Sequence, residues 1–173
     1  MALTTKPPAQ STARTHRHVP QARVLIVEGR FYAAISDELA NGAITALKAQ
    51  GASYDRITVP GALEIPQALA QAASAGLIPR SAASGCWDGA VALGCVIRGE
   101  TSHYDIVCSN ANHWLMEVAI RHHIPLGNGI LTVDTEAQAL ARARGGADGK
   151  GGDAVRACLS LVELVRTFQG QSA

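Results

Sequence analysis

The residues of this chain best placed to do chemistry lie in one stretch, AVALGCVIRGETSHYD, running from Ala90 to Asp105. Ala90 to Ile97 is a short apolar run, partly β-branched and without polar alternation, and it reads as a strand covered on both faces. Arg98-Gly99 breaks the run. Glu100, Thr101 and Ser102 then supply capping side chains ahead of a helical pattern carried by Ile106, Val107 and Leu115. A strand that ends in glycine and feeds a helix gathers backbone N–H groups and the positive end of a helix dipole at one point, which suits an anion. His103 sits within that point as a candidate proton carrier.

Three other segments offer partners for such a site. Phe31 follows Gly29-Arg30 at the end of the apolar run RVLIVE, where a ring either stacks on a planar heterocycle or closes the top of the core. Glu64, in PGALEIP, falls in the first turn of a helix. There it complements the dipole or accepts hydrogen bonds from ligand hydroxyls, with the N–H groups of Gly61 and Ala62 beside it. Arg142 and Lys150 flank a glycine-rich connector. A planar guanidinium pairs bidentately with phosphate, so Arg142 is the stronger anion candidate, Lys150 a second, and Arg98 a rival by position. Each has an ordinary structural reading as well: helix capping for Thr101 and Ser102, a satisfied histidine for His103, a solvated face for the basic pair.

The elements that must position these residues alternate from Arg23 onward. Arg23–Glu28 is a first strand, and Ile35, Leu39, Ala43, Ala46 and Leu47 mark one face of a helix that stops at Gly51. Arg56–Gly61 is a second strand ending in a Pro-Gly turn. Ile65–Ala75 is helical, with Pro66 in its first turn. Residues 76–87 form a loop, Ala90–Ile97 the third strand and His103–His122 the third helix. Ile124–Val133 is a fourth strand, interrupted by Gly127-Asn128-Gly129. Asp134-Thr135-Glu136 caps a helix ending near Arg144, and residues 145–152 are a flexible connector to a last amphipathic helix, Asp153–Phe168. The order βαβαβαβαα implies a parallel sheet with helices on both faces, whose ligands sit beyond the carboxyl ends of the strands.

Bulk properties narrow the field. The chain has 173 residues, enough for one domain with its own core, and only 4% are aromatic, so that core is built from Ala, Val, Leu and Ile. A formal charge of +1 gives no reason to expect nucleic acid or an acidic membrane as partner, and no apolar run is long enough to span a bilayer. The cysteines at 86, 95, 108 and 158 form no CxxC pair and no zinc-ligand spacing, and the histidines lack a third ligand at a useful distance, so no metal is expected. Reduced thiols and the lack of a secretory apolar segment point to a cytoplasmic enzyme. Residues 1–22, polar and holding three prolines, read as a flexible arm, residues 23–170 as the α/β domain and 171–173 as a tail.

Taken together, the ordered blocks GRF, PGALEIP, ALGCVIRGETSHYD and NGILTVDTEAQALARA resemble lumazine synthase, over roughly Arg23 to Phe168. The resemblance implies a flavodoxin-like three-layer αβα sandwich with a four-stranded parallel sheet. It also implies two small-molecule substrates, a ribityl-bearing diaminopyrimidine and 3,4-dihydroxy-2-butanone 4-phosphate. The pyrimidine would stack on Phe31 and be read by backbone groups of Cys95, Val96 and Ile97, with the ribityl tail on Ala62, Leu63 and Glu64. The phosphate would meet Glu100 and Thr101, with Arg142 opposite, and His103 would move the protons. The family uses no metal or redox cofactor, assembles as homopentamers with sites between adjacent subunits, in some members as shells of twelve pentamers, and precedes riboflavin synthase in its pathway. Asn128 stands where the family often has an aromatic, and by resemblance Asn128, Arg142 and the arm face a neighbour. The 76–87 loop looks longer than usual, while the connector shows no insertion that excludes a shell. Two other readings are an assembly or carrier protein of the same fold with weak catalysis, and a flavodoxin-like module for a phosphorylated ligand.

Overall fold

The computed structural model describes residues 21–81 and 84–171. Four strands, β1 (Arg23–Gly29), β2 (Ser53–Val59), β3 (Gly89–Ile97) and β4 (Leu126–Val133), form one sheet in the order β2-β1-β3-β4, every pairing parallel. Helices α1 (Ala33–Ala49), α4 (Glu136–Ala143) and α5 (Lys150–Gln171) cover one face; α2 (Glu64–Ser74) and α3 (His103–Arg121) cover the other. This is the expected α/β three-layer arrangement. The expected arm lies, up to residue 20, outside the described residues, as do the last two residues of the tail.

Strand alternation builds two cores. Val24 and Ile26 of β1 with Val91, Leu93 and Cys95 of β3 point to the α1/α4/α5 face; Leu25 and Val27 with Ala90 and Ala92 point to the α2/α3 face. Both central strands are buried on both sides, which is why they read as unbroken apolar runs. The order of connection reverses between β1 and β3. A sheet wound this way leaves a crevice at the carboxyl ends of those two strands.

Three expectations need correction. β2 runs from Ser53 to Val59 rather than Arg56 to Gly61. As an edge strand it pairs with β1 alone, so polar Ser53 and Asp55 are acceptable, and Asp55 accepts from Trp87 Nε1 at 2.6 Å and Arg23 Nε at 2.9 Å. β4 is continuous through Gly127-Asn128-Gly129. The two glycines allow close approach of α5 and β3: a β-carbon at Gly129 would fall 2.8 Å from Leu93 Cδ2 and 3.2 Å from Ala154 Cβ. The glycine-rich connector is folded, not flexible. It forms a single 3₁₀ turn (Gly146–Asp148) and the first turn of α5, with Gly151 and Gly152 buried against α1 and that turn.

Candidate active site

At the carboxyl edge of the sheet, where β1 and β3 diverge, lies a cavity of about 370 Å³. Its walls come from four places: Phe31 and Tyr32 between β1 and α1, Pro60 to Glu64 between β2 and α2, Cys95 to Ile97 at the end of β3, and Gly99, Thr101, His103, Tyr104 and Val107 at the start of α3. The sequence-predicted residues Phe31, Ala62, Leu63, Glu64, Cys95, Val96, Ile97, Thr101 and His103 are thereby brought together.

Each wall has a local cause. Phe31 is 72% exposed, and its ring meets Tyr32 edge to face at 5.0 Å, so one broad face is open. Glu64 opens α2, where a carboxylate is favoured by the dipole, and it curls back so that a β-carbon at Gly61 would lie 3.4 Å from Oε2. Cys95 is buried, and desolvation pushes its thiol up to about 11, so it presents an uncharged surface to the cavity.

The turn from β3 to α3 is held by Arg98. Its guanidinium lies 4.0 Å above the Tyr104 ring, donates to Asp134 at 3.1 Å, and makes longer contacts to Asp105 at 3.4 and 3.5 Å. Arg98 is therefore engaged within the fold rather than turned into the cavity. Thr101 Oγ1 accepts from His103 N at 3.4 Å, while Ser102 makes no side-chain cap. Among the described residues none accepts from the N–H groups of Glu100 or Thr101, which leaves them available at the helix N-terminus. His103 is exposed beside them.

Four predicted residues lie outside the cavity of their own chain. Glu100 is exposed on the turn. Asn128 projects from β4 toward α3, donating to Asn112 at 2.7 Å and accepting from Ile130 N at 2.9 Å. Arg142 donates to its own helix at Gln138 O, 3.1 Å, and Lys150 pairs with Asp153 at 2.8 Å. Three cavity residues, Tyr32, Tyr104 and Val107, were not anticipated; the two tyrosines directly follow the predicted Phe31 and His103, and that adjacency was the available signal, while Val107 read only as part of the helical pattern. No group of three His, Cys, Asp or Glu able to hold a metal occurs among the described residues, and no described helix is long and apolar enough to cross a membrane.

Residues 21–166 match the family described as 6,7-dimethyl-8-ribityllumazine synthase. Relatives carrying that same name include the protein of Azorhizobium caulinodans, 56% identical over 86% of this chain and 89% of its own length. That of Methylobacterium radiotolerans is 52% identical over 86% and 85%, and that of Xanthobacter autotrophicus is 47% identical over 96% and 99%.

Proposed function

We infer the division of labour in this cavity from the premise that the chain belongs to the 6,7-dimethyl-8-ribityllumazine synthase family, transferases of riboflavin biosynthesis. The substrates are 5-amino-6-(D-ribitylamino)uracil and 3,4-dihydroxy-2-butanone 4-phosphate. The pyrimidine lies on the open face of Phe31, with its edge against the backbone of Cys95, Val96 and Ile97 and its ribityl hydroxyls at Ala62, Leu63 and Glu64. The phosphate rests on the N–H groups of Glu100 and Thr101, and His103 stands between the two. The observation that carries this reading is the single cavity in which an aromatic shelf, a helix-opening carboxylate and an anion-binding turn meet.

The chemistry is acid–base throughout. The amine of the pyrimidine adds to the ketone and water leaves, giving a Schiff base. Loss of a proton from the adjacent carbon then expels inorganic phosphate. The enol that this leaves tautomerises to a ketone, and attack of the ribityl-bearing nitrogen on that new carbonyl closes the ring with loss of a second water. His103 takes and returns protons in these steps, and no redox or metal cofactor is called for. Most of the acceleration comes from holding the two reactants together, where effective molarities reach about 10⁵–10⁸ M.

The assembly is a homopentamer with sites between adjacent subunits, whether or not pentamers associate further. The arrangement of α3 supports an oligomer: Ile106, Trp114, Met116 and Ile120 are all about half exposed or more, an unusual run of apolar side chains for a free surface. By the family resemblance Arg142 and Asn128 face a neighbour's cavity in that assembly, with Lys150 a further candidate for the phosphate. The product passes to riboflavin synthase. A cytoplasmic setting accords with four cysteines held as free thiols.

The test is to mix the purified protein with both substrates and follow the fluorescent lumazine. Turnover above the spontaneous rate is expected; none would favour a carrier protein of the same fold. Arg142→Ala raises the KM for the butanone phosphate and leaves that for the pyrimidine, and an unchanged phosphate KM removes Arg142 from the site.

A further inference from the structure

Phe31 presents a mechanical problem. A ring 72% exposed is not held by core packing, and among the described residues its one aromatic contact is to its chain neighbour Tyr32. A stacking shelf in that position depends on whatever fixes its backbone. Three residues before it, Glu28 is a charged side chain buried completely, at the end of β1 on the α1 face. Buried ion pairs, changed together with their partners, are replaceable by apolar residues without loss of stability in many proteins, so the core alone does not account for one here.

The partners of Glu28 account for it. Arg56 of β2 donates to both carboxylate oxygens, Nε to Oε1 at 2.6 Å and Nη2 to Oε2 at 3.1 Å, a bidentate fork that fixes the group in one orientation. Arg30 Nη1 donates to Oε2 at 3.3 Å while its Nη2 donates to Asp37 of α1 at 2.7 Å. The Arg30 backbone N–H donates to Val59 O at the end of β2, 3.0 Å away. Gly29 meanwhile lies against the next turn, where a β-carbon would fall 2.8 Å from the carbonyl carbon of Gly61. Arg30, the residue next to Phe31, is thus tied to β1, β2 and α1 at once. These are the elements whose ends frame the shelf and the Pro60–Glu64 wall facing it.

We propose that Glu28, Arg56, Arg30 and Asp37 form an ionic mount that positions Phe31 for the pyrimidine. They are positioning residues: none lines the cavity, and their effect passes through the ring. The proposal rests on the reading of Phe31 as the stacking residue, and the experiment separates the two.

The experiment is a double-mutant cycle read in steady-state kinetics, with Phe31→Ala, Arg30→Ala and the double variant assayed for both substrates. Phe31→Ala raises the pyrimidine KM by about fivefold or more, the low end for losing a base-stacking contact. Arg30→Ala raises the same constant, leaves the butanone phosphate KM unchanged, and adds nothing further in the Phe31→Ala background. Asp37→Asn moves the pyrimidine KM in the same direction by less; Asp37 is 67% exposed, so this variant carries the test should Arg30→Ala fold poorly. An Arg30→Ala effect of equal size with and without Phe31, or on both substrates alike, overturns the mount, as does no effect at all. If Phe31→Ala itself leaves the pyrimidine KM unchanged, the stacking assignment falls first and the mount with it.

Discussion

Gly42→Ala sets two well-known effects against each other at a place where the structure decides between them. Gly42 lies in the interior of α1, where alanine is favoured over glycine by about 1 kcal/mol on helix propensity. A β-carbon there would lie 2.5 Å from Gly146 O and 3.3 Å from Gly146 C. Close carbon–oxygen contacts settle at about 3.3 Å, so roughly 0.8 Å of separation must be found. The obstacle is a backbone carbonyl in a turn pinned by Gly145 and Gly146, at φ 107° and 57°, and no rotamer change moves it aside. Overpacking of this kind costs about 1–3 kcal/mol, and a fixed carbonyl argues for the upper half. After subtracting the propensity gain the variant is less stable by about 1–2 kcal/mol, a fall of about 2–8 °C in Tm for a chain of this length. Thermal melts by circular dichroism at matched protein concentration measure it. Gly170→Ala, near the end of α5 with nothing within 4 Å of its added carbon, is the control and leaves Tm equal or slightly raised. A Gly42→Ala protein as stable as the parent would show that the corner between α4 and α5 yields, and that propensity governs the site.

Other predictions concern charge, thiols and catalysis. Asp55 is held below its usual range by the Trp87 indole and Arg23, and Asp153 by Lys150 and Arg156. A carboxylate depressed in the folded state stabilises above its unfolded value of about 3.9 and loses that contribution as pH falls through the folded value. The urea midpoint therefore drops below about pH 4, and less steeply in Asp55→Asn. Burial pushes the Cys158 thiol up to about 12 and that of Cys95 up to about 11. Mass spectrometry after treatment of the native protein with a thiol reagent at pH 8 finds both unmodified, and labelling of Cys158 before unfolding would contradict its burial. His103→Ala lowers kcat by about 10²-fold, the low end for general acid–base groups, because an exposed imidazole is partly replaced by water. Complete loss of turnover with substrate binding intact would mean that more of the rate passes through His103 than its position implies.

The central strands were legible in the sequence because burial on both faces leaves nothing polar to confuse the pattern, as in Val24–Val27 and Ala90–Ile97. β2 was misplaced for the opposite reason: an edge strand carries Ser53 and Asp55, the latter for its ion pair with Arg23, and those side chains look like a loop. The glycines at 127, 129, 151 and 152 read as breaks or flexibility, whereas here they are the small residues of tightly packed seams. Most of the cavity was foreseeable because it is assembled from strand ends, and strand ends are where the apolar runs stop. Glu28 was not, since a single acidic residue closing an apolar run looks like ordinary solvent exposure until Arg56 is brought over from a segment 28 residues away. Tyr104 was missed because its role depends on Arg98 stacking over it, a contact set by the turn rather than by spacing.

Arg142 bonds to its own helix and stands apart from the cavity of its own chain. If it serves the cavity next door, the unit of function is a pair of neighbouring faces rather than a folded polypeptide, and two defective chains are able to repair one another. In a random co-assembly of equal amounts of His103→Ala and Arg142→Ala chains, a site is whole when one side supplies His103 and the other Arg142, which happens at about a quarter of the interfaces in a cyclic ring. A genetic lesion at either position would then be partly masked by the other when both forms are made in the same cell.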